Sequence, residues 1–133
     1  MELTGSVAAI TGAASGIGFA LAQEAVRRGM AVAISDIRAD ALESARAALA
    51  AIGGDVLAVR ADVTKSGDIE ALAATTVSHF GKVNLLINNA GAFVASLAWE
   101  TPEAQFDWMI DLNVKSIARG IQAFVPRMIA QGD

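Results

Sequence analysis

The sequence contains no cysteine and only one histidine, His79. The lack of cysteine excludes disulfides and thiolate metal sites, and a single histidine cannot form a histidine-based site alone, so we expect no metal. No apolar run approaches the roughly 18 residues of a membrane-spanning helix. The first five residues also lack the basic and apolar regions of a signal peptide. We therefore expect a soluble, cytoplasmic protein without a membrane partner.

Charge of either sign is also scarce. Charged residues make up 18% of the 133 residues, the net charge is −4, and there is no basic block. This pattern argues against nucleic-acid binding and favours a small-molecule ligand. Hydrophobic residues, by contrast, make up 54%, which is enough for the core of one domain. We predict a single domain over residues 1–133.

Short apolar runs rich in valine and isoleucine alternate with longer alanine-rich stretches. This alternation is typical of a parallel sheet with helices on both faces. The predicted strands are a run beginning at Val7, then 31–35, 56–60 and 83–87, and the predicted helices are 16–28, 39–51 and 66–80, followed by a long last helix. We predict an α/β, doubly wound fold truncated after about four β-α units, because a fifth strand would be expected to begin where the sequence stops.

The predicted helices carry apolar residues at spacings of three and four. These are Ile17, Leu21 and Ala25; Leu42, Ala45, Leu49 and Ile52; Ile69, Leu72, Thr76 and Phe80; and Phe106, Ile110, Ile117, Ile121, Phe124 and Met128. Ser66 is predicted to cap the third helix, and Thr101 to cap the last, with Pro102 at its first position. Pro126 is predicted to bend or shorten the final turns.

Three glycines follow the first predicted strand and precede the first helix. Gly12, Gly16 and Gly18 have the spacing G-x-x-x-G-x-G, which differs from the G-x-G-x-x-G pattern of many dinucleotide-binding proteins. Glycine at such a turn permits a sharp change of direction and lets backbone N–H groups approach a pyrophosphate. The turn is therefore either a phosphate-binding turn or a tight turn without a ligand.

Polar residues follow the other predicted strands. Asp36, Asp62 and the segment 88–91 come at or just after three strand ends. Because ligands of open parallel sheets bind beyond the carboxyl ends of the strands, these residues and the glycine turn are predicted to lie together. From the residues alone, Asp36 could instead cap the next helix, and Asp62 could be a solvated loop carboxylate.

Asn113 interrupts the apolar stripe of the last helix. A buried amide must find hydrogen-bond partners. Asn113 is therefore either a structural link across a helix kink or part of a site.

The chain resembles the short-chain dehydrogenase/reductase family. The resemblance is carried, in this order, by the segment 11–18, Asp36, Asp62-Val63, the segment 88–91 and Asn113. The resemblance covers essentially the whole chain but only the first part of a family member. It implies a Rossmann-like fold and an oxidoreductase that transfers hydride between a nicotinamide cofactor and an alcohol or carbonyl substrate.

Carried over residue by residue, the resemblance implies a cofactor site. Its predicted members are Gly12, Ser15, Gly16, Ile17 and Gly18 for the pyrophosphate and adjacent ribose; Asp36 for the adenosine ribose; Asp62 and Val63 for adenine; and Asn89, Ala90 and Gly91 for the adenine-ribose side. Asp36 follows Gly18 by eighteen residues, close to the roughly 20 expected for an acid that binds the ribose hydroxyls. An acid there disfavours the extra phosphate of NADP, so NAD is the predicted cofactor, although Arg38 lies nearby.

The resemblance also implies a catalytic set, of which only Asn113 is present; its backbone carbonyl would hold a water in a proton relay. The family's Ser, general-base Tyr and Lys are missing. The sequence has no tyrosine, and its lysines are Lys65, Lys82 and Lys115. We therefore expect this chain to bind cofactor but to be inactive without a C-terminal catalytic portion.

Two alternatives remain at this stage. The chain could be a non-catalytic NAD-sensing module that signals through a partner, or an assembly fragment with a vestigial nucleotide site. By resemblance, pairing of two copies through the last helix, 106–128, is plausible. We therefore expect a homo-oligomer.

Overall fold

The computed structural model describes residues 1–132. Four parallel strands form one sheet in the order β3-β2-β1-β4. The strands are β1 (Val7–Thr11), β2 (Ala31–Asp36), β3 (Val56–Arg60) and β4 (Leu85–Ile87). The prediction of a doubly wound parallel sheet is confirmed. Every residue of β1 is buried, because helices cover both faces of the sheet.

Helices connect the strands. They are α1 (Gly16–Arg27), α2 (Ala39–Ala51), α3 (Ser66–Phe80), α4 (Glu103–Ile110) and α5 (Ser116–Gln131). A short 3₁₀ turn covers Ala98–Glu100, and a π-turn, Asp111–Lys115, joins α4 to α5. The predicted last helix is therefore one continuous helix, in which a wider π-helical turn separates α4 from α5.

Alternate residues of the central strands point to opposite faces and build two cores. On one face, Ile10 and Ile34 pack with Leu42 and Leu49 of α2 and with α1. On the other face, Ala9 and Ala33 pack with α3 and α5, where Phe124 is fully buried. The carboxyl ends of the strands lie between these two helical layers.

The predicted helix faces are correct for some residues and wrong for others. Leu42, Ala45 and Leu49 of α2 and Ile69, Leu72 and Thr76 of α3 are buried as expected. Ile17 and Leu21 of α1 are exposed, whereas Gly18 and Ala22 are buried. Small residues face inward because α1 packs closely on the glycine turn. Also exposed, contrary to the predicted stripes, are Ile52, Phe106, Ile110, Ile117 and Ile121.

Both predicted helix caps are wrong. Lys65 holds the N-cap position of α3 and Ser66 begins the helix. Pro102 holds the N-cap position of α4, and the Thr101 hydroxyl instead donates to the Leu97 carbonyl at 3.0 Å. The backbone of Thr101 is extended, with φ −75° and ψ +119°, as is usual for a residue that precedes a proline.

The start of β4 and the end of α5 also differ from expectation. β4 begins at Leu85, two residues later than predicted, because the Val83 backbone pairs with the Gln131 side chain in two hydrogen bonds of 3.1 and 2.7 Å. Pro126 lies inside α5, which continues to Gln131, so the proline does not shorten the helix. Within residues 1–132, no helix is both long and apolar enough to cross a bilayer.

Candidate functional site

A cavity of about 590 Å³ lies beyond the carboxyl ends of all four strands. It brings together nine of the predicted cofactor-binding residues: Gly12, Ser15, Ile17, Asp36, Asp62, Val63, Asn89, Ala90 and Gly91. The same cavity is lined by Ile37, Arg38, Ala61, Thr64, Ala92, Trp108 and Leu112. Gly16, Gly18 and Asn113 lie next to lining residues in the chain or in space but are not part of the wall.

The glycine turn has a physical reason at each of its three glycines. Gly12 and Gly16 have φ angles of +64° and +58°, which side chains rarely adopt. A Cβ on Gly12 would also come within 2.8 Å of the Ala90 Cα atom. At Gly18 a Cβ would overlap the Asn89 amide and the Gly12 carbonyl. The unusual spacing therefore follows from close packing against the segment after β4 at Gly12 and Gly18, and from the backbone conformation at Gly16.

Asn89 fastens this turn to the end of β4. Its side-chain Nδ2 donates to the carbonyls of Thr11 and Gly12, each at 3.1 Å. In return the backbone N–H groups of Asn89 and Ala90 donate to the Thr11 hydroxyl, each at 3.1 Å. The Asn89 side chain is therefore committed to holding the turn.

The N-terminus of α1 opens toward the cavity. Ser15 is its N-cap residue, but its side chain makes no capping bond, and the first turn contains no acid. Backbone N–H groups at a helix N-terminus carry partial positive charge and have no partner within the helix. This end of the cavity can therefore bind a phosphate group.

Asp36 ends β2 and lines the cavity, although only 7% of the residue is exposed. Arg38 donates through Nε to Oδ1 at 3.2 Å and through Nη2 to Oδ2 at 3.4 Å. The backbone N–H groups of Ala14 and Arg38 donate at 3.3 and 3.0 Å. Burial by itself raises the pKa of Asp36, but these hydrogen bonds outweigh it and hold the pKa below its ordinary value. Asp36 is therefore ionised at neutral pH.

Asp62 follows β3 and is held in place by its neighbours. Its Oδ1 accepts from the Thr64 hydroxyl at 2.7 Å and the Thr64 N–H at 2.9 Å, and its own N–H donates to Asp68 at 2.9 Å. The hydrogen bond from the Thr64 hydroxyl is the main reason that the pKa of Asp62 is lowered. Asp62 thus offers a fixed anionic acceptor to the cavity.

Asn113 lies in the π-turn and links it to the segment after β4. Its Nδ2 donates to the carbonyls of Ala92 at 2.7 Å and Met109 at 2.9 Å, and its Oδ1 accepts from the Ala92 N–H at 3.1 Å. A Cβ on Gly91 would lie 2.7 Å from that Oδ1. The side chain is therefore a structural link, and π-turns of this kind recur at functional sites.

Trp108 and Leu112 are cavity residues that the sequence analysis did not identify. They lie four residues apart on the path from α4 into the π-turn, so they share a face. The i, i+4 spacing was available in the sequence, but nothing local indicated that this face would lie against the cavity. Within the described residues, no group of three His, Cys, Asp or Glu side chains is arranged to hold a metal ion.

Comparison with known proteins bears on this site. A sequence model described as short chain dehydrogenase matches residues 6–133. The chain belongs to the short-chain dehydrogenase/reductase family. It is 42% identical over 130 residues to 2-(R)-hydroxypropyl-CoM dehydrogenase of Xanthobacter autotrophicus, covering 95% of this chain and 52% of that protein. It is 39% identical over 132 residues to sorbitol dehydrogenase of Cereibacter sphaeroides, covering 99% and 50%.

Solved structures of the family agree. A short-chain dehydrogenase/reductase from Burkholderia phymatum in complex with NAD matches with a TM-score of 0.97 and 38% identity, over 100% of this chain and 47% of that one. L-sorbose reductase from Gluconobacter frateurii, complexed with NADPH and L-sorbose, matches with a TM-score of 0.92 and 31% identity, over 99% and 51%. The chain thus spans about half the length of these relatives. These relatives are named as dehydrogenases and reductases.

Proposed function

We propose that residues 1–133 form the dinucleotide-binding domain of an oxidoreductase that transfers hydride between a nicotinamide cofactor and a small alcohol or ketone. The observation that carries the proposal is the ionised Asp36 carboxylate in the same cavity as the N-terminus of α1. One group can hydrogen-bond ribose hydroxyls and the other can bind a pyrophosphate. The bound nicotinamide would supply the hydride acceptor or donor.

The residues present fit such a cofactor. A Cβ at Gly16 would meet nothing within 4 Å, so the backbone at the start of α1 is open where a pyrophosphate would lie. We propose that Gly12, Ser15, Gly16, Ile17 and Gly18 form or support this part of the site. We assign the remaining contacts to Asp62 and Val63 for adenine, and to Asn89, Ala90 and Gly91 for the adjacent ribose.

NAD is proposed over NADP because Asp36 would repel a 2′-phosphate. Arg38 works against this preference, because its guanidinium pairs with both carboxylate oxygens and also donates to the Ser15 hydroxyl at 2.9 Å. The four donors on Asp36 match the roughly four lone-pair sites of a carboxylate. Ribose hydroxyls would therefore replace the Arg38 side chain on Asp36, which is possible because about half of that side chain is exposed.

The test is calorimetric titration of the purified chain with NAD and NADP, before and after Asp36→Ala. We expect NAD to bind more tightly to the unchanged chain. The variant should lose at least tenfold in NAD affinity, since a hydrogen bond to a charged group contributes about 1.5–3 kcal/mol. It should lose less affinity for NADP. Glu43→Ala, which removes an exposed carboxylate on α2 that pairs with Arg46, is the matched control. Equal losses for both cofactors would contradict the role of Asp36.

We further propose that this chain alone binds cofactor without turning over substrate. A general base must lie within hydrogen-bonding reach of the proton that it accepts. The sequence has no tyrosine, and none of Lys65, Lys82 and Lys115 lines the cavity. On the family resemblance, the Asn113 carbonyl would hold a relay water for a base located outside this chain. NADH formation by the purified chain with NAD and an alcohol panel would contradict this proposal.

Self-association is the last part of the proposal. Phe106, Ile110, Ile117 and Ile121 lie on α4 and α5, and each is between 42% and 50% exposed. β4 lies at an edge of the sheet and so has unpaired backbone groups on one side. Exposed apolar side chains and an unpaired strand edge both favour association. We therefore propose that the chain forms a homo-oligomer through this helical face.

A further inference from the structure

Trp108 is a large aromatic residue in the wall of the cavity. It lines the cavity together with Leu112 and Val63, and 43% of its surface is exposed. The other tryptophan, Trp99, is 81% exposed and does not line the cavity. An exposed indole at an open cavity offers a flat apolar surface to a ligand.

Arg119 of α5 links the π-turn to the segment after β3. One guanidinium nitrogen, Nη1, donates both to the Val63 carbonyl at 3.3 Å and to the Asp111 carbonyl at 3.2 Å. The other, Nη2, pairs with the Asp111 carboxylate. Arg119 is largely buried, with 18% of its side chain exposed, and its charge is matched locally. The link holds Val63 and the start of the π-turn on either side of one guanidinium.

The cavity wall includes three apolar side chains, those of Val63, Trp108 and Leu112, and Asp62, which directly precedes Val63 in the chain, also lines it. Both hydrogen bonds from Thr64 go to Oδ1 of Asp62, which leaves Oδ2 able to accept from an exocyclic amine. A flat base that carries an amine matches this combination. Asp36 and Ser15 are polar members of the same wall and suit ribose and phosphate.

We propose that Trp108 is a base-stacking residue whose indole packs on the adenine of the bound dinucleotide. The proposal rests on the proposed cofactor function. Base–aromatic stacking does not depend on hydrogen-bond readout, so Trp108 would strengthen binding of any adenine-containing ligand of this site. Its contribution would be absent for the nicotinamide mononucleotide half of the cofactor.

Intrinsic fluorescence tests the contact without changing Trp108. In Trp99→Phe, Trp108 is the only tryptophan, and ADP-ribose should quench or shift its emission when excitation is placed beyond the adenine absorption band. In Trp108→Phe, which retains Trp99, the same titration should leave the emission unchanged. If calorimetry shows that Trp99→Phe binds ADP-ribose but the emission of Trp108 does not change, the proposal is overturned.

Affinity tests the energetic part. Trp108→Ala should weaken ADP-ribose binding roughly tenfold to a hundredfold, the range expected for loss of a base–aromatic stack, and Trp108→Phe should lose much less. Nicotinamide mononucleotide should bind all forms equally. If Trp108→Ala lowers the affinity for both ligands alike, or for neither, stacking is refuted while the cofactor function stands. If the unchanged chain binds neither NAD nor ADP-ribose, the proposed function fails and this inference fails with it.

Discussion

Removing the Asn89 side chain tests whether the glycine turn depends on a neighbour across the sheet. Asn89→Ala deletes two hydrogen bonds of 3.1 Å, to the carbonyls of Thr11 and Gly12. Each contributes a net of about 0.5–1.5 kcal/mol, so the variant should lose about 1–3 kcal/mol of unfolding free energy. With an m-value of about 2 kcal/mol/M, the urea midpoint should fall by roughly 1 M.

Asn89→Asp makes the test sharper. It keeps the shape of the side chain but replaces the donating amide by an oxygen that faces two carbonyl oxygens. It should therefore destabilise the protein more than Asn89→Ala does, because a part-buried charge would face like partial charges. A purely steric role for Asn89 would give the opposite order.

The assay is urea unfolding followed by circular dichroism at one fixed protein concentration, since self-association would add to the apparent stability. NAD titration of the folded variants is the second measurement, and we expect weaker binding because the turn is no longer held. Gln122→Ala, which removes an exposed amide on α5, is the control and should change little. If both Asn89 variants unfold within about 0.5 kcal/mol of the unchanged protein, the account of the turn is wrong.

Two further predictions concern packing and assembly. Gly18→Ala should lower the unfolding free energy by about 1–3 kcal/mol and weaken NAD binding, because the new Cβ would overlap the Asn89 amide. Gly67→Ala, which has open space in α3, should instead raise the unfolding free energy by up to about 1 kcal/mol. Similar urea midpoints for the two variants would contradict this expectation. Analytical ultracentrifugation at high concentration should show species larger than a monomer. Ile121→Glu should dissociate these species, whereas Ile52→Glu, at the exposed C-terminal end of α2, should leave them intact. A strictly monomeric unchanged chain would refute the assembly prediction.

Much of the fold could be predicted because its signals are local. Apolar runs of four or five residues, alanine-rich helices and glycines at turns give the strand and helix order within a few residues. The least accurate details were those set by partners far away in the chain. Leu85 begins β4 because the Gln131 side chain occupies the backbone of Val83.

The candidate site divides in the same way. Its polar members could be predicted because parallel strands end at one edge of the sheet, so residues that follow each strand must meet. Asp36, the last residue of β2, and Asp62, just after β3, could be placed at this edge from their positions alone. The pairing of Arg38 with Asp36 and the hydrogen bonds from the Asn89 amide to Thr11 and Gly12 could not be predicted. Side-chain partners depend on rotamers and distances that are set only in the folded chain.

By itself, the sequence determined the parallel sheet, the order of the strand-end residues and their resemblance to a family, because periodicity and backbone preference act over a few residues. Only the tertiary structure decided which faces of the helices are free. It exposed Ile17 and Leu21, buried Gly18, and placed Trp108 in the wall of the cavity. The physical reason is that burial depends on how closely two elements can approach, and that distance is set by residues remote in the chain, such as Asn89 for α1 and Arg119 for the path from α4 to α5.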